Sequence, residues 1–194
     1  MGFLEYLSGF RRWKLIGFRT FGNLKGQEIT LTSSLDNTPA LVPLHSHDKC
    51  PEYLIYAGIV FTVLTRFYLY TWGEYDWDKK APKHLVSLAY GGMLEELNQQ
   101  IVIIDRILVD EVNYGINSNV TDTVLKAVNG IEIKNIKHLA KLIDEMSNNE
   151  ANAFIRFETK CKQVIVIECE EARQSEARIL AQNSIVHARS ENLR

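Results

Sequence analysis

Cysteine is scarce. Cys50, Cys161 and Cys169 are the only three in 194 residues, too scattered and odd in number for a disulfide framework. Cys161 and Cys169 could meet across a hairpin, but the expectation is of buried free thiols in a reducing compartment. Charge of one sign is lacking too. The net charge of −2 gives no general attraction to nucleic acid or anionic lipid, so neither is an expected partner. No long apolar run is present. The densest, Leu54 to Leu64, ends before Arg66 and is about half the ~20 residues a spanning helix needs. Its Tyr, Ile, Val, Phe and Thr content favours a buried strand, with Gly58 as a kink.

Leader signals are missing as well. In MGFLEYLSGFRRWKLIGF the basic residues follow the first apolar stretch, the reverse of a secretory signal. Tyr6 stands where a myristoylation signal needs Ser or Thr. Arg11 to Lys25 holds five basic residues and no acid. That leaves a membrane-surface helix or, better supported, the basic edge of an incomplete neighbouring domain, since Gly17, Gly22 and Gly26 interrupt any long helix. The expectation is a soluble chain with no targeting signal and no assigned compartment.

Catalytic signatures are absent. There is no G-x-S-x-G and no Gly-rich phosphate loop. His45, His47, Asp48 and Cys50 form the densest cluster of metal-ligating types, but no second pair completes a zinc set. Glu95-Glu96 and Glu170-Glu171 read as solvated faces, and Asp110-Glu111, after a strand, as a somewhat better acid site or simply a polar turn. His84 and His138 have no fixed partner in sequence. The chain is expected to need no cofactor and no metal, and to be non-catalytic.

What remains is a pattern of strands and helices. Residues 18–32 read as a hairpin, 33–39 as a linker and 54–65 as one strand. Residues 68–82 read as an aromatic loop, and a helix follows Pro82 as far as Leu97, interrupted at Gly91-Gly92. Residues 99–109 make a two-face-buried strand, and Asn129-Gly130 a tight turn. Asn135 caps a helix whose Ile136, Leu139, Ala140 and Ile143 share a face. Residues 153–167 form a hairpin, Glu168 opens a C-terminal helix, and 186–194 are expected to fray. The fold expected is α+β, a partly open antiparallel barrel flanked by helices, with an additional helix at the C-terminal end.

Three blocks of this chain carry a family likeness. LVPLHSHDKCPEYLIYAGIVFTVLTRFYL (41–69), QQIVIIDRILVDEVNYG (99–115) and VNGIEIKNIKHLAKLID (128–144) resemble, in order and spacing, the second PDZ domain of the Deg/HtrA "protease Do-like" serine proteases. Val63 and Phe67 stand where that family prefers proline. The resemblance implies a Do-like PDZ domain over 39–185, preceded by the remnant of another PDZ-like domain and a linker over 1–38. The family's serine endopeptidase domain has no counterpart here.

The family likeness also implies a site. A peptide would add alongside a strand beside a helix, with its carboxylate held by the loop Ala57, Gly58, Ile59 and Val60. Ile59 and Phe61 would face one way, opposite a helical wall running from Ile136 through His138, Leu139 and Leu142. The function implied is a non-catalytic PDZ module of a Deg-type protease in protein quality control. Its expected partners are peptide or protein segments and other subunits of a Deg-type oligomer. Three alternatives are a purely structural oligomerisation domain, a part of an intact protease, and a membrane-associated adaptor.

Overall fold

A computed structural model describes residues 16–21, 28–33, 40–96, 98–149 and 152–194 apart from 45–49. The chain divides into two compact units, Met1–Pro39 and Ala40–Arg194. In the first, β1 (Ile16–Phe21) pairs antiparallel with β2 (Glu28–Ser33), which is the hairpin expected there. The basic residues before Ile16, and His45, His47 and Asp48, lie outside the described residues.

The second unit is built on an antiparallel sheet. Its strands are β3 (Tyr53–Tyr56), β4 (Ile59–Val63), β5 (Val102–Ile107), β6 (Thr123–Val128), β7 (Ile131–Glu132), β8 (Phe154–Thr159) and β9 (Val164–Glu168). They run in the order β3-β4-β5-β6-β8-β9, with the short β7 returning against β6. The α+β class and partly open antiparallel sheet agree with expectation. The stretch expected as one kinked strand is a hairpin instead. Ala57 and Gly58 both take positive φ, 49° and 79°, which is the two-residue turn whose twist matches its flanking strands. Asn129 and Gly130 make the same kind of turn, with φ 47° and 78°.

The core has two parts. In the larger, Leu54, Ile59, Phe61, Ile104 and Val128 meet Ile155, Phe157 and Ile165 under the helix α4 (Ile136–Ser147). That helix starts where the Asn135 side chain accepts from the His138 amide at 2.8 Å. Its buried face, Ile136, Leu139, Ala140, Ile143 and Met146, follows the three-four spacing.

The smaller core lies beneath residues 66–91, where α1 (Arg66–Leu69), α2 (Trp77–Lys80) and α3 (Lys83–Gly91) pack on Leu64, Ile103 and Val124. The segment expected as a loop is thus largely helical, in turns too short to show a period. α3 stops at Gly91, before the expected Leu97. Arg66 holds this region together. Its guanidinium lies 5.0 Å from the Trp77 ring and 5.2 Å from the Tyr90 ring and donates to the Ala89 carbonyl at 3.0 Å.

The fifth helix, α5 (Cys169–Gln182), continues directly from β9. Acidic Glu170 and Glu171 occupy its first turn, where the helix dipole favours negative charge. No helix among the described residues is long and apolar enough to cross a membrane.

Candidate functional site

Of the sheet's two outermost strands, β3 is the one that runs beside α4. β4 is hydrogen-bonded on one side to β3 and on the other to β5, so its backbone has no edge for a further strand. Of the residues that the family likeness implies, Ile59 and Phe61 lie on this central strand, whereas β3 is the neighbour with an outer edge. A central strand has already used the N–H and C=O groups that strand addition needs.

The outer edge of β3 is occupied. Residues 186–194, expected to fray, return from α5 and lie along it. The Ile55 amide donates to Ala188 O at 2.7 Å, and the Ser190 amide donates to Tyr53 O at 3.0 Å. These bonds flank an antiparallel bridge between Leu54 and Arg189. The Tyr53 amide donates to Ser190 Oγ at 3.2 Å, and the Tyr53 hydroxyl to His187 O at 3.2 Å. The segment stays in place because its polar side chains find partners there. Polarity alone suggested fraying.

Residues opposite one another on antiparallel strands point to the same face. Leu54 is fully buried, and Arg189 beside it reaches α4. Its Nη1 donates to Asp144 Oδ2 at 2.8 Å, and its Nη2 bonds Asp144 Oδ1. This forked pairing suits a guanidinium and a carboxylate. The hydrogen bond to Asp144 raises the Arg189 pKa, against an opposing effect of burial. Further along, Asn192 Nδ2 donates to Glu52 Oε1 at 2.6 Å. Glu52 Oε2 accepts from Gln100 Nε2 at 3.0 Å, and Gln100 Oε1 accepts from the Ile136 amide at 3.2 Å. A polar chain thus runs from the C-terminal segment to the first turn of α4. Leu193 ends the segment as a buried member of the larger core.

The residues expected to form the carboxylate loop and the groove walls lie mostly within the core. Ile59, Phe61 and Leu139 are fully buried, Ala57 and Leu142 nearly so, and all five belong to the larger core. Val60 and His138 are half-buried. His138 Nδ1 accepts from the Lys134 amide at 3.3 Å. At the β3–β4 turn, Gly58 O accepts from the Leu108 amide at 2.8 Å and Ala57 O accepts from Asn113 Nδ2 at 2.9 Å. A Cβ on Gly58 would collide with Leu108 O and Asn113 Nδ2. Glycine is needed here for a close backbone approach within the domain.

Sequence reasoning missed Glu52, Tyr53, Ile55, Asp144, Arg189 and Ser190. The one available signal was Leu193, a large aliphatic residue near the end of a mostly polar tail. Among the described residues no group of three or more His, Cys, Asp or Glu is placed to hold a metal. Cys50 and Cys161 are exposed and Cys169 is buried, all as free thiols.

Comparison with known proteins identifies the family. A PDZ domain model matches residues 42–192. The chain is 33% identical over 169 residues to "Putative protease Do-like 3, mitochondrial" of Arabidopsis thaliana, covering 87% of this chain and 27% of that protein. It is 34% identical over 153 residues to "Protease Do-like 2, chloroplastic" of the same plant, 79% of this chain and 24% of that protein. A "Serine protease DegP homolog" of Plasmodium falciparum (isolate 3D7) is 34% identical over 105 residues, 54% of this chain and 11% of that protein. The chain therefore spans about a quarter of the first two relatives. It belongs to the PDZ domain family and is a distant homologue of the Do-like proteases. The part that matches is a PDZ domain, not a protease catalytic domain.

Proposed function

We propose that this PDZ domain is a non-catalytic docking module of a Do-like protease system, and that it holds extended peptide segments along the outer edge of β3 against α4. One observation carries the reading. That edge already accepts an extended segment through backbone bonds at Tyr53 and Ile55, the geometry of recognition by strand addition. Main-chain bonds give such a site affinity for many segments, and the facing helix supplies selectivity. The peptidase activity named in the relatives would belong to a catalytic domain elsewhere in a longer chain or in a partner subunit. Residues 1–38 are read as the end of a preceding PDZ-like domain. Limited proteolysis that cuts between Ser33 and Ala40 and leaves 40–194 folded would support that boundary.

Amide chemical shifts in the presence of peptides test the docking role. Segments of a mixed library that bind are expected to perturb the Tyr53 and Ile55 amides together with α4. A folded domain whose β3 amides respond to no peptide would overturn the reading. A second reading, a subunit-assembly domain, is favoured by the occupancy of the β3 edge. It predicts a concentration-dependent oligomer in sedimentation that peptide does not dissolve.

A further inference from the structure

The strip of chain on the β3 edge has the marks of a bound peptide more than of a sheet strand. It makes a single bridge, Leu54 with Arg189, whereas each hairpin of the sheet is paired along its length. Its backbone partners are edge groups that no other strand among the described residues claims. Its anchors are separable side chains. Arg189 pairs with Asp144, which is 47% exposed and open to any other cation. Ser190 bonds the Tyr53 amide, and Leu193 is buried.

We infer that His187–Leu193 is the resident ligand of the β3–α4 groove, and that the groove selects segments of the same chemistry. Such a segment has an arginine opposite Leu54, a small hydroxyl residue after it, and an aliphatic side chain at the spacing of Leu193 from Arg189. The inference rests on the docking role proposed above and deepens it by naming the ligand class and the regulation. Asp144 sets the preference for arginine, because a guanidinium matches a carboxylate with two parallel bonds and an ammonium cannot. The aliphatic residue is selected by the apolar site that Leu193 fills. The resident segment competes with any incoming one. The apparent dissociation constant is the intrinsic one divided by the fraction of molecules whose groove is open, so displacing the tail raises affinity without touching the groove.

The test uses the full chain and a fluorescent peptide of the sequence HARSENLR. Ser190→Pro removes the amide that bonds Tyr53 O. It does so without backbone strain, since Ser190 has φ −62°, the value proline imposes. Arg189→Glu, a second variant, sets like charges together at Asp144. Each variant is expected to bind the peptide about tenfold or more tightly than the unmodified chain, with faster amide exchange at Ile55. A peptide with glutamate in place of its arginine should bind the released variants about tenfold more weakly, and Asp144→Arg should restore it. Equal peptide affinity for the variants and the unmodified chain would overturn the resident-ligand inference and leave the docking role standing. Equal binding of the arginine and glutamate peptides would overturn the selectivity. If Ile55 exchange accelerates and still no peptide binds, the docking role itself fails and takes the inference with it.

Discussion

The side-chain amide of Asn113 is shared between two carbonyls that belong to different strand ends. Its Nδ2 donates to Ala57 O at 2.9 Å and to Leu108 O at 2.8 Å, while its Oδ1 accepts from the Asp110 amide at 3.0 Å. Asn113 is 4% exposed, so water replaces none of these bonds readily. Asn113→Ala should cost about 2–3 kcal/mol, the scale of buried polar groups left without partners. Urea unfolding should show a lower midpoint at unchanged slope. A loss well below about 1 kcal/mol would mean that the turn does not depend on this amide.

Gly58 and Gly130 offer a matched pair of substitutions. Both have positive φ, 79° and 78°, so Ala at either carries the left-handed penalty of about 1–2 kcal/mol. Only at Gly58 does the new Cβ meet backbone; at Gly130 it meets nothing. Gly58→Ala should therefore lose clearly more stability than Gly130→Ala, by about 1 kcal/mol or more, the lower end of overpacking costs. Thermal unfolding of the two variants measures the difference. Equal losses would show that the Leu108–Asn113 side of the turn gives way.

The elements legible in the sequence are those whose signal is local. α4 combines a capping asparagine with an apolar stripe, and β5 is a β-branched run. The hairpin at Ala57-Gly58 was hidden because alanine is a poor residue for φ > 0, and its position is enforced by Asn113 far along the chain. The short helices at 66–80 have too few turns to display a period. The C-terminal segment is polar in sequence. It is ordered by partners at Glu52, Tyr53 and Asp144, which no local pattern announces. That the usable sheet edge lies on β3 was hidden for the same reason. The family likeness pointed to Ile59 and Phe61, and local sequence does not distinguish a strand paired on both sides from one with a usable edge.

The ion pair between Asp110 and Arg178 makes stability depend on acid pH. Arg178 Nε donates to Asp110 Oδ2 at 2.9 Å and Nη2 to Oδ1 at 2.6 Å. This pairing, chiefly its hydrogen bonds, lowers the Asp110 pKa below the ordinary 3.8. A carboxyl depressed in the folded state contributes stability above its unfolded value and loses it as pH falls through the folded one. The contribution should be intact at neutral pH and decline below about 3.8. In Arg178→Gln the Asp110 carboxyl should titrate at higher pH by NMR, and the acid-side slope of stability should flatten. An unchanged Asp110 titration would contradict the pairing.

Tyr68 makes the corresponding prediction at alkaline pH. Its hydroxyl donates to Asp122 Oδ1 at 2.7 Å, and the Asp122 carbonyl meets His84 Nε2 at 2.9 Å. Asp122 thereby ties α1 and α3 to the start of β6. Burial, first, and the hydrogen bond with Asp122, second, push the Tyr68 phenol well above its ordinary 10.0. A group raised in the folded state supplies stability that is full below the unfolded pKa and is lost as pH rises past it. The folded domain should thus weaken progressively above about pH 10, as the unfolded chain ionises and the folded one holds its proton. Tyr68→Phe should lower stability at neutral pH by about 1–2 kcal/mol, since the acceptor is a carboxylate at a partly exposed site. It should also remove part of that alkaline slope, and phenolate absorbance should lose its last-ionising component. A variant that unfolds with the same pH dependence as the unmodified protein would show that Tyr68 ionises as freely in the folded state as in the unfolded one.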